Sequence, residues 1–348
     1  MSRAERNGCA VGVLVQRSRR SVRRSCGSDE RSGRDVHRSS IASRSARCMR
    51  CKRDAFRATP RTMQHVLSDL IDLLALERLD RDLFRGRSQD LGWGAIFGGQ
   101  VLGQALSAAA QTVTAERPVH SLHGYFLRAG DLNRPIVYQV DRLRDGKSFT
   151  TRRVVAVQEG EAIFSLAASF QVHEEGFEHH DAMPEVPEPE TLRSERDLAL
   201  AVSDRLPEKL RAMATAERPI EIRPVERRDP LHPKKTAPQR HLWYRAADQL
   251  PDEAALHRYL LAYASDFSFL GTAMDPHGVS WLNPGMHVAS LDHSMWFHRP
   301  FRFDEWLLYV VDSPSASGGR GLVRGRFFDR DGRLVASCAQ EGLIRKNA

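Results

Sequence analysis

Three side chains in this sequence have the types and settings to act together on one water molecule. Asp266 stands in "YASDFSFL" (263–270), inside the apolar run "HRYLLAYASDFSFLGTAM" (257–274). If that run is one helix, Asp266 has Ala262 and Tyr263 one turn behind it and Phe269 and Leu270 one turn ahead. An ionised carboxylate on such a face costs on the order of several kcal/mol unless hydrogen-bond donors offset it. The plain alternatives are a face turned to solvent or a bond to a nearby backbone amide. Gln340, in "SCAQEGLI", interrupts the apolar or small strand pattern "LVASCA", and Ser290 in "VASLDHSMW" supplies a hydroxyl. An edge-facing side chain is the plain alternative for Gln340. Together, a carboxylate, a hydroxyl and an amide can fix and polarise a water, which is the equipment for hydrolysis without a covalent intermediate.

Other chemistries lose support. The sequence has no GxSxG elbow, no HExxH and no P-loop, and "GAIFGG" lacks the preceding strand and spacing of a dinucleotide site. "HEEGFEHH" (173–180) holds three histidines and three glutamates, but its context reads as the solvated start of a linker, so no metal site is expected. Asp292 and His293 are neighbours on an expected strand and point to opposite faces, which argues against a dyad. His123, in "SLHGYF", is a further candidate for lining the pocket, with a packed or surface histidine as the plain alternative.

Charge divides the chain. Residues 1–62 carry 16 Arg and 1 Lys against 5 acids, and the remainder carries 35 bases against 39 acids, so the overall +8 belongs to the first segment. That segment is Arg- and Ser-rich with few large apolar residues and reads as disordered. It suits upstream sequence from an early start, a transit peptide or a nucleic-acid tail, and the first is favoured because Met63 opens the first clear helical pattern. Of five cysteines, four lie in it, including the lone CxxC of Cys48 and Cys51. Cys338 alone remains beyond it, which suits a reducing, cytoplasmic setting, or an organelle if the extension is a transit peptide. No apolar run approaches the roughly 18–20 residues of a membrane span.

The elements that must position Asp266, Ser290 and Gln340 form a repeat. "MQHVLSDLIDLLAL" and "FGGQVLGQALSAAAQTV" (97–113) read as helices, and four extended runs bounded by Gly, Asp or Pro follow. After a proline-rich linker with one short amphipathic helix, the order recurs: two strands, the helix with Asp266, then more strands. "YFLR" (125–128) and "WFHR" (296–299) are matching landmarks, each followed at similar distance by a hairpin glycine, Gly160 or Gly332. The expected architecture is α+β: two tandem curved antiparallel sheets, each wrapped on a central helix and able to pair edge to edge.

The stretches "DLGWGAIFGGQVLGQAL" (90–106), "YASDFSFL", "LDHSMWFHRPF" (291–301), "EWLLYVVDSPSAS" and "RGLVRGRFFDRDGRLVASCAQEGLIR" resemble acyl-CoA thioesterase II, in unbroken order from about Met63 to the C-terminus. The resemblance implies a double hotdog fold, divided as a 1–62 extension, a first hotdog at 63–176, a linker at 177–217 and a second hotdog at 218–348. It implies hydrolysis of medium- to long-chain fatty acyl-CoA in lipid metabolism, with no cofactor and with association into homo-oligomers. It places the site on Asp266, Ser290 and Gln340, Ser290 standing where other members carry Thr. Asp266 would then act as base, with Ser290 and Gln340 holding the water. Gly98 and Gly99, opening a helix, are suitable oxyanion donors. A hotdog-fold enoyl-CoA hydratase and a non-catalytic acyl-CoA binder are the alternatives. Nucleic acid would suit only the basic tail.

Overall fold

The computed structural model describes residues 63–347. The Arg/Ser-rich extension, with Cys48 and Cys51, lies outside the described residues. The first half runs α1 (Met63–Leu74), β1 (Glu77–Asp80), β2 (Leu83–Gly86), α2 (Gly98–Ala110), β3 (Val119–Phe126), β4 (Ile136–Asp145), β5 (Phe149–Gln158) and β6 (Glu161–Gln171). A connecting stretch carries α3 (Glu195–Leu200) and α4 (Glu208–Thr215). The second half comprises β7 (Ile220–Pro224), β8 (Gln239–Ala246), α5 (Ala254–Ser265), α6 (Gly271–Met274), β9 (Met286–Ser290), β10 (Asp292–Phe297), β11 (Leu307–Ser317), β12 (Arg320–Phe328) and β13 (Leu334–Lys346).

All the strands pair antiparallel in one continuous sheet, in the order β1-β2-β4-β5-β6-β3-β10-β13-β12-β11-β8-β7, with β9 added alongside β13. The order reads the same outward from its centre: β3 and β10 form the seam, and each half continues with its own last, second-last and third-last strands and then its first two. The seam runs from Asp292 opposite Tyr125 to Trp296 opposite Ser121. It satisfies two edges that would otherwise expose unpaired backbone groups. This is the double hotdog, with α2 and α5 as the central helices.

The sequence pattern explains the layering. On β13 the residues at 336, 338, 340 and 342 are buried while their neighbours at 337, 339, 341 and 343 are half-buried, the period of two that puts alternate side chains on one sheet face. Helix α2 is different, being buried on nearly its whole circumference from Gly99 to Ala109. Its small residues serve close packing. A Cβ at Gly99 would collide with the Tyr263 carbonyl oxygen of α5, and one at Gly103 would lie 3.2 Å from the Tyr259 carbonyl oxygen and 3.0 Å from Leu74 Cδ2. Residues four apart share a helix face, so Gly99 and Gly103 form a flat strip against α5. Two buried glutamines anchor the approach to α2. Gln104 Nε2 donates to the Leu73 and Arg87 carbonyls at 2.7 and 3.0 Å, and its Oε1 accepts from Tyr138 Oη at 2.7 Å. Gln100 Nε2 donates to the Arg87 carbonyl at 3.0 Å, and its Oε1 accepts from the Gln89 N–H.

The expected elements differ from the observed ones in three places. The short β1–β2 hairpin has too little apolar alternation to register in the sequence. The connecting stretch holds two short helices rather than one. The run 257–274 is not one helix: α5 stops at Ser265, Asp266 is its C-cap residue, and Ser268 adopts φ +58° before α6 begins at Gly271. A left-handed residue cannot continue an α-helix, so the chain turns there.

The glycine strip generates a stability test. Gly99→Ala should lower stability by about 1–3 kcal/mol through overpacking, even though alanine is the better helix former. Gly103→Ala should cost less, because its neighbours begin at 3.0 Å. Urea unfolding midpoints read both, and a Gly99→Ala midpoint equal to the parent's would contradict the contact.

Candidate active site

Asp266 is where two helix ends meet. It follows the last turn of α5, and its carboxylate accepts a hydrogen bond from the Gly99 N–H in the first turn of α2. A Cβ at Gly98 would stand 2.6 Å from Asp266 Oδ2, so the approach requires glycine there as well. The positive end of the α2 dipole faces the carboxylate. Two buried tyrosines hold the turn around it. Tyr309 Oη donates to the Ser265 carbonyl at 2.9 Å and Tyr244 Oη to the Phe267 carbonyl at 3.2 Å, partnering carbonyls that the end of α5 leaves open.

Two strands complete the constellation. Gln340, 1% exposed on β13, donates from Nε2 to Asp266 Oδ1 at 3.0 Å and to Ser290 Oγ at 2.8 Å. Ser290, the last residue of β9, donates a long bond of 3.4 Å to the same Asp266 Oδ1. The three side chains touch one another directly and leave no gap for a water at the centre of the triangle. Enclosure by protein raises the Asp266 pKa to about 6, and the bonds from Gln340, Gly99 and Ser290 hold it from rising further.

Behind Gln340 lies a residue whose role the sequence did not disclose. His293, fully buried on β10, has Nδ1 2.5 Å from Gln340 Oε1 and Nε2 3.0 Å from Ser265 Oγ. Ser290 and His293 are three apart, and in a regular strand they would face opposite ways. They share a face because the pairing register against β13 slips by one residue between them: β9 places Ser290 opposite Gly342, while β10 places Ser294 opposite Ala339. Leu291 is the extra residue, its N–H bonded to the Glu341 carbonyl at 2.9 Å. Next to it, Asp292 points the other way and accepts from the Glu341 N–H at 2.7 Å.

Of the other candidates, Gly98 and Gly99 lie at the site, the latter with its N–H already bonded to the carboxylate. His123 does not join them. It lies on the outer face of the seam, exposed, with Nδ1 3.1 Å from Ser294 Oγ and its ring edge-on to Trp296. The strand's alternation buries Leu122 and Gly124 and turns His123 outward. In "HEEGFEHH", Glu174 bonds Ser148 and Gln171, and Glu178 stands 3.6 Å from Arg299. Among the described residues no group of three or more His, Cys, Asp or Glu is placed to hold a metal, and no helix is long and apolar enough to cross a membrane.

Comparison with known proteins bears on what this geometry serves. A family model described as acyl-CoA thioesterase matches residues 209–343, and one described as acyl-CoA thioesterase N-terminal domain matches residues 87–171. Acyl-CoA thioesterase 2 of Haemophilus influenzae is 45% identical over 283 residues, spanning 81% of this chain and 99% of that protein. The chain belongs to the acyl-CoA thioesterase family. Human acyl-coenzyme A thioesterase 8 is 46% identical over 281 residues, 78% of this chain and 88% of that one. The crystal structure of acyl-CoA thioesterase II TesB2 from Mycobacterium marinum superposes with a TM-score of 0.65 at 43% identity, covering 80% of this chain and 98% of that one. The protein is therefore an acyl-CoA thioester hydrolase, and its fold is that of the thioesterase relatives.

Keeping a carboxylate enclosed has a cost that this thioesterase bears in stability. The folded state raises the Asp266 pKa from 3.8 to about 6, so it binds that proton more tightly than the unfolded chain does. The contribution favours folding below about pH 4 and is lost as pH rises through about 6. Asp266→Asn should therefore be more stable than the parent at pH 8, by about 1–2 kcal/mol after allowance for partial solvent contact. That gap should close toward pH 4, as read by denaturant midpoints across the range. A variant less stable than the parent at pH 8 would contradict the enclosure.

Proposed function

We propose that the chain hydrolyses medium- to long-chain fatty acyl-CoA to free fatty acid and CoA at Asp266, Ser290 and Gln340. The observation that carries this reading is the convergence of a hydroxyl and an amide, from two different strands, on one oxygen of a carboxylate enclosed enough to have a raised pKa. Raised pKa values of this kind collect at functional sites.

In this reading a water docks on a remaining lone pair of the carboxylate and is oriented by the Ser290 hydroxyl. Asp266 takes its proton as the oxygen attacks the thioester carbonyl. A thioester carbonyl has little resonance stabilisation, so water with a base suffices and no nucleophilic serine or cysteine is needed. Gly98, at the start of α2, supplies the N–H for the developing oxyanion, since the Gly99 N–H is engaged by Asp266. The tetrahedral intermediate then expels the CoA thiolate, which takes up the proton held by Asp266. Phe97, just before α2, and Phe267, the residue after Asp266, stack at 4.3 Å, with Trp93 and Tyr263 edge-on to Phe97, an apolar wall suited to a fatty acyl chain. A hydratase would pair the carboxylate with a histidine, whereas the buried His293 contacts Gln340 and Ser265 instead.

The hotdog halves 63–176 and 218–348, joined by 177–217, form one unit of function in this proposal. Tyr125 and Trp296, 63% and 37% exposed on the outer face of the seam, suit association into a homo-oligomer. Cys338, buried as a free thiol, suits a reducing, cytoplasmic setting.

Release of CoA from decanoyl- and palmitoyl-CoA tests the reading. The parent chain should turn over both, and Asp266→Asn should lose about 10²–10⁴-fold in kcat. Because only the ionised carboxylate accepts a proton, kcat/KM should fall as pH drops through about 6. Full activity in Asp266→Asn would sink the assignment, and an acid limb near pH 4 would show that enclosure does not tune the base.

A further inference from the structure

An amide side chain has two ends of opposite polarity, and only one orientation of Gln340 serves Asp266. With Nε2 toward the carboxylate, both of its hydrogens are used, one on Asp266 Oδ1 and one on Ser290 Oγ. With the amide reversed, a carbonyl oxygen would lie about 3 Å from a carboxylate oxygen, and the two would repel. What sets the orientation is whatever binds the far end. That group is His293, opposite Gln340 one step beyond the Ser294–Ala339 pair of the β10–β13 ladder.

We infer that His293 is a positioning residue for the reaction: its Nδ1–H holds the Gln340 carbonyl oxygen and so turns the amide toward Asp266 and Ser290. The inference rests on the reading of Asp266, Ser290 and Gln340 as the hydrolytic centre.

The hydrogen-bond inventory fixes the state of the ring. Gln340 Oε1 only accepts, so Nδ1 must carry a hydrogen. Burial lowers the His293 pKa to about 4, so the ring is neutral at working pH and Nε2 bears a lone pair. Ser265 Oγ lies 3.0 Å from Nε2 and donates its one hydrogen to the Ala262 carbonyl at 2.8 Å, so the group that selects the Nδ1–H tautomer is the acceptor-only Gln340 Oε1. The donors then point one way, from the imidazole Nδ1–H through the Gln340 amide to the Asp266 carboxylate. Such chains polarise one another, so the bond that reaches Asp266 is strengthened by those behind it. The titratable groups packed around this line are Asp266 from the end of α5, Tyr309 from β11 and Cys338 from β13. Tyr309 Oη bonds both the Ser265 carbonyl and Cys338 Sγ, and burial keeps the phenol and the thiol protonated. The ring of Phe269, 5.8 Å from that of His293, completes the surroundings.

Two measurements test the inference. Nitrogen-15 spectra of the imidazole in the intact protein, without substrate, should show a neutral ring protonated at Nδ1 from pH 5 to 8. A ring protonated at Nε2 would overturn the inference whatever the activity, because it could not donate to Gln340. Substitution gives the second. His293→Phe keeps an aromatic ring but has no donor, whereas His293→Asn places an N–H near the position of Nδ1. The Phe variant should lose about 10- to 100-fold in kcat with little change in KM, as supporting hydrogen bonds do elsewhere. Its acid limb should move to higher pH, because Asp266 loses a bond that stabilises its ionised form. His293→Asn should recover most of the loss and restore the limb. Equal losses in the two variants, or a limb that stays in place in His293→Phe, would reduce His293 to packing. The spectrum is read without turnover, so failure of the hydrolytic reading, seen as a fully active Asp266→Asn, remains distinct from failure of this one.

Discussion

The contact between Gly99 and the Tyr263 carbonyl sets how closely α2 approaches α5, and the centre inherits its geometry from that approach. A side chain at position 99 would push the first turn of α2 away from the end of α5, and the Gly99 N–H would withdraw from Asp266. The Asp266, Ser290 and Gln340 side chains all come from the second half, so this helix contact is what joins the first half to them. The glutamines that fasten the chain before α2 serve the same end, because they fix where the helix begins.

Around Asp266 the protein has removed competing charge. The groups near it that could titrate, His293, Tyr309 and Cys338, are each held neutral by burial. The carboxylate therefore meets hydrogen-bond donors and a helix dipole rather than a cation. A guanidinium or ammonium partner would stabilise the ionised acid too well and leave a weak base. Donors that are individually modest keep the acid ionisable near neutral pH while leaving it basic enough to accept a proton.

Much of this was legible in the sequence. The two long helical patterns, the strands β3–β8 and β10–β13, and the repeat marked by "YFLR" and "WFHR" were readable because apolar periodicity and glycine punctuation are local signals. Asp266 and Gln340 stood out because each is polar where its neighbours are not. The helix end at Ser265 was not legible, since "YASDFSFLG" keeps apolar spacing through the turn and the left-handed conformation falls on Ser268 rather than on a glycine. His123 was an attractive candidate by type alone, and strand alternation, which faces it outward, decides against it. His293 was weighed only as a partner for Asp292 and set aside because strand neighbours face opposite ways; its link to Gln340 was not legible, since parity along a regular strand would also separate it from Ser290.

That parity turns on Leu291. A β-strand offers each side chain one of two faces, so the face of any residue is a binary quantity, reset only by a change in length. Substitution alters what stands on a face and never which face it is. A regular strand carrying this serine and this histidine would show one to the helix and the other to solvent, however its residues were exchanged. The centre thus lies across an insertion or deletion, not a series of point changes, from its unbulged counterpart. Transplanting it to another hotdog scaffold requires carrying over the irregular backbone together with the side chains.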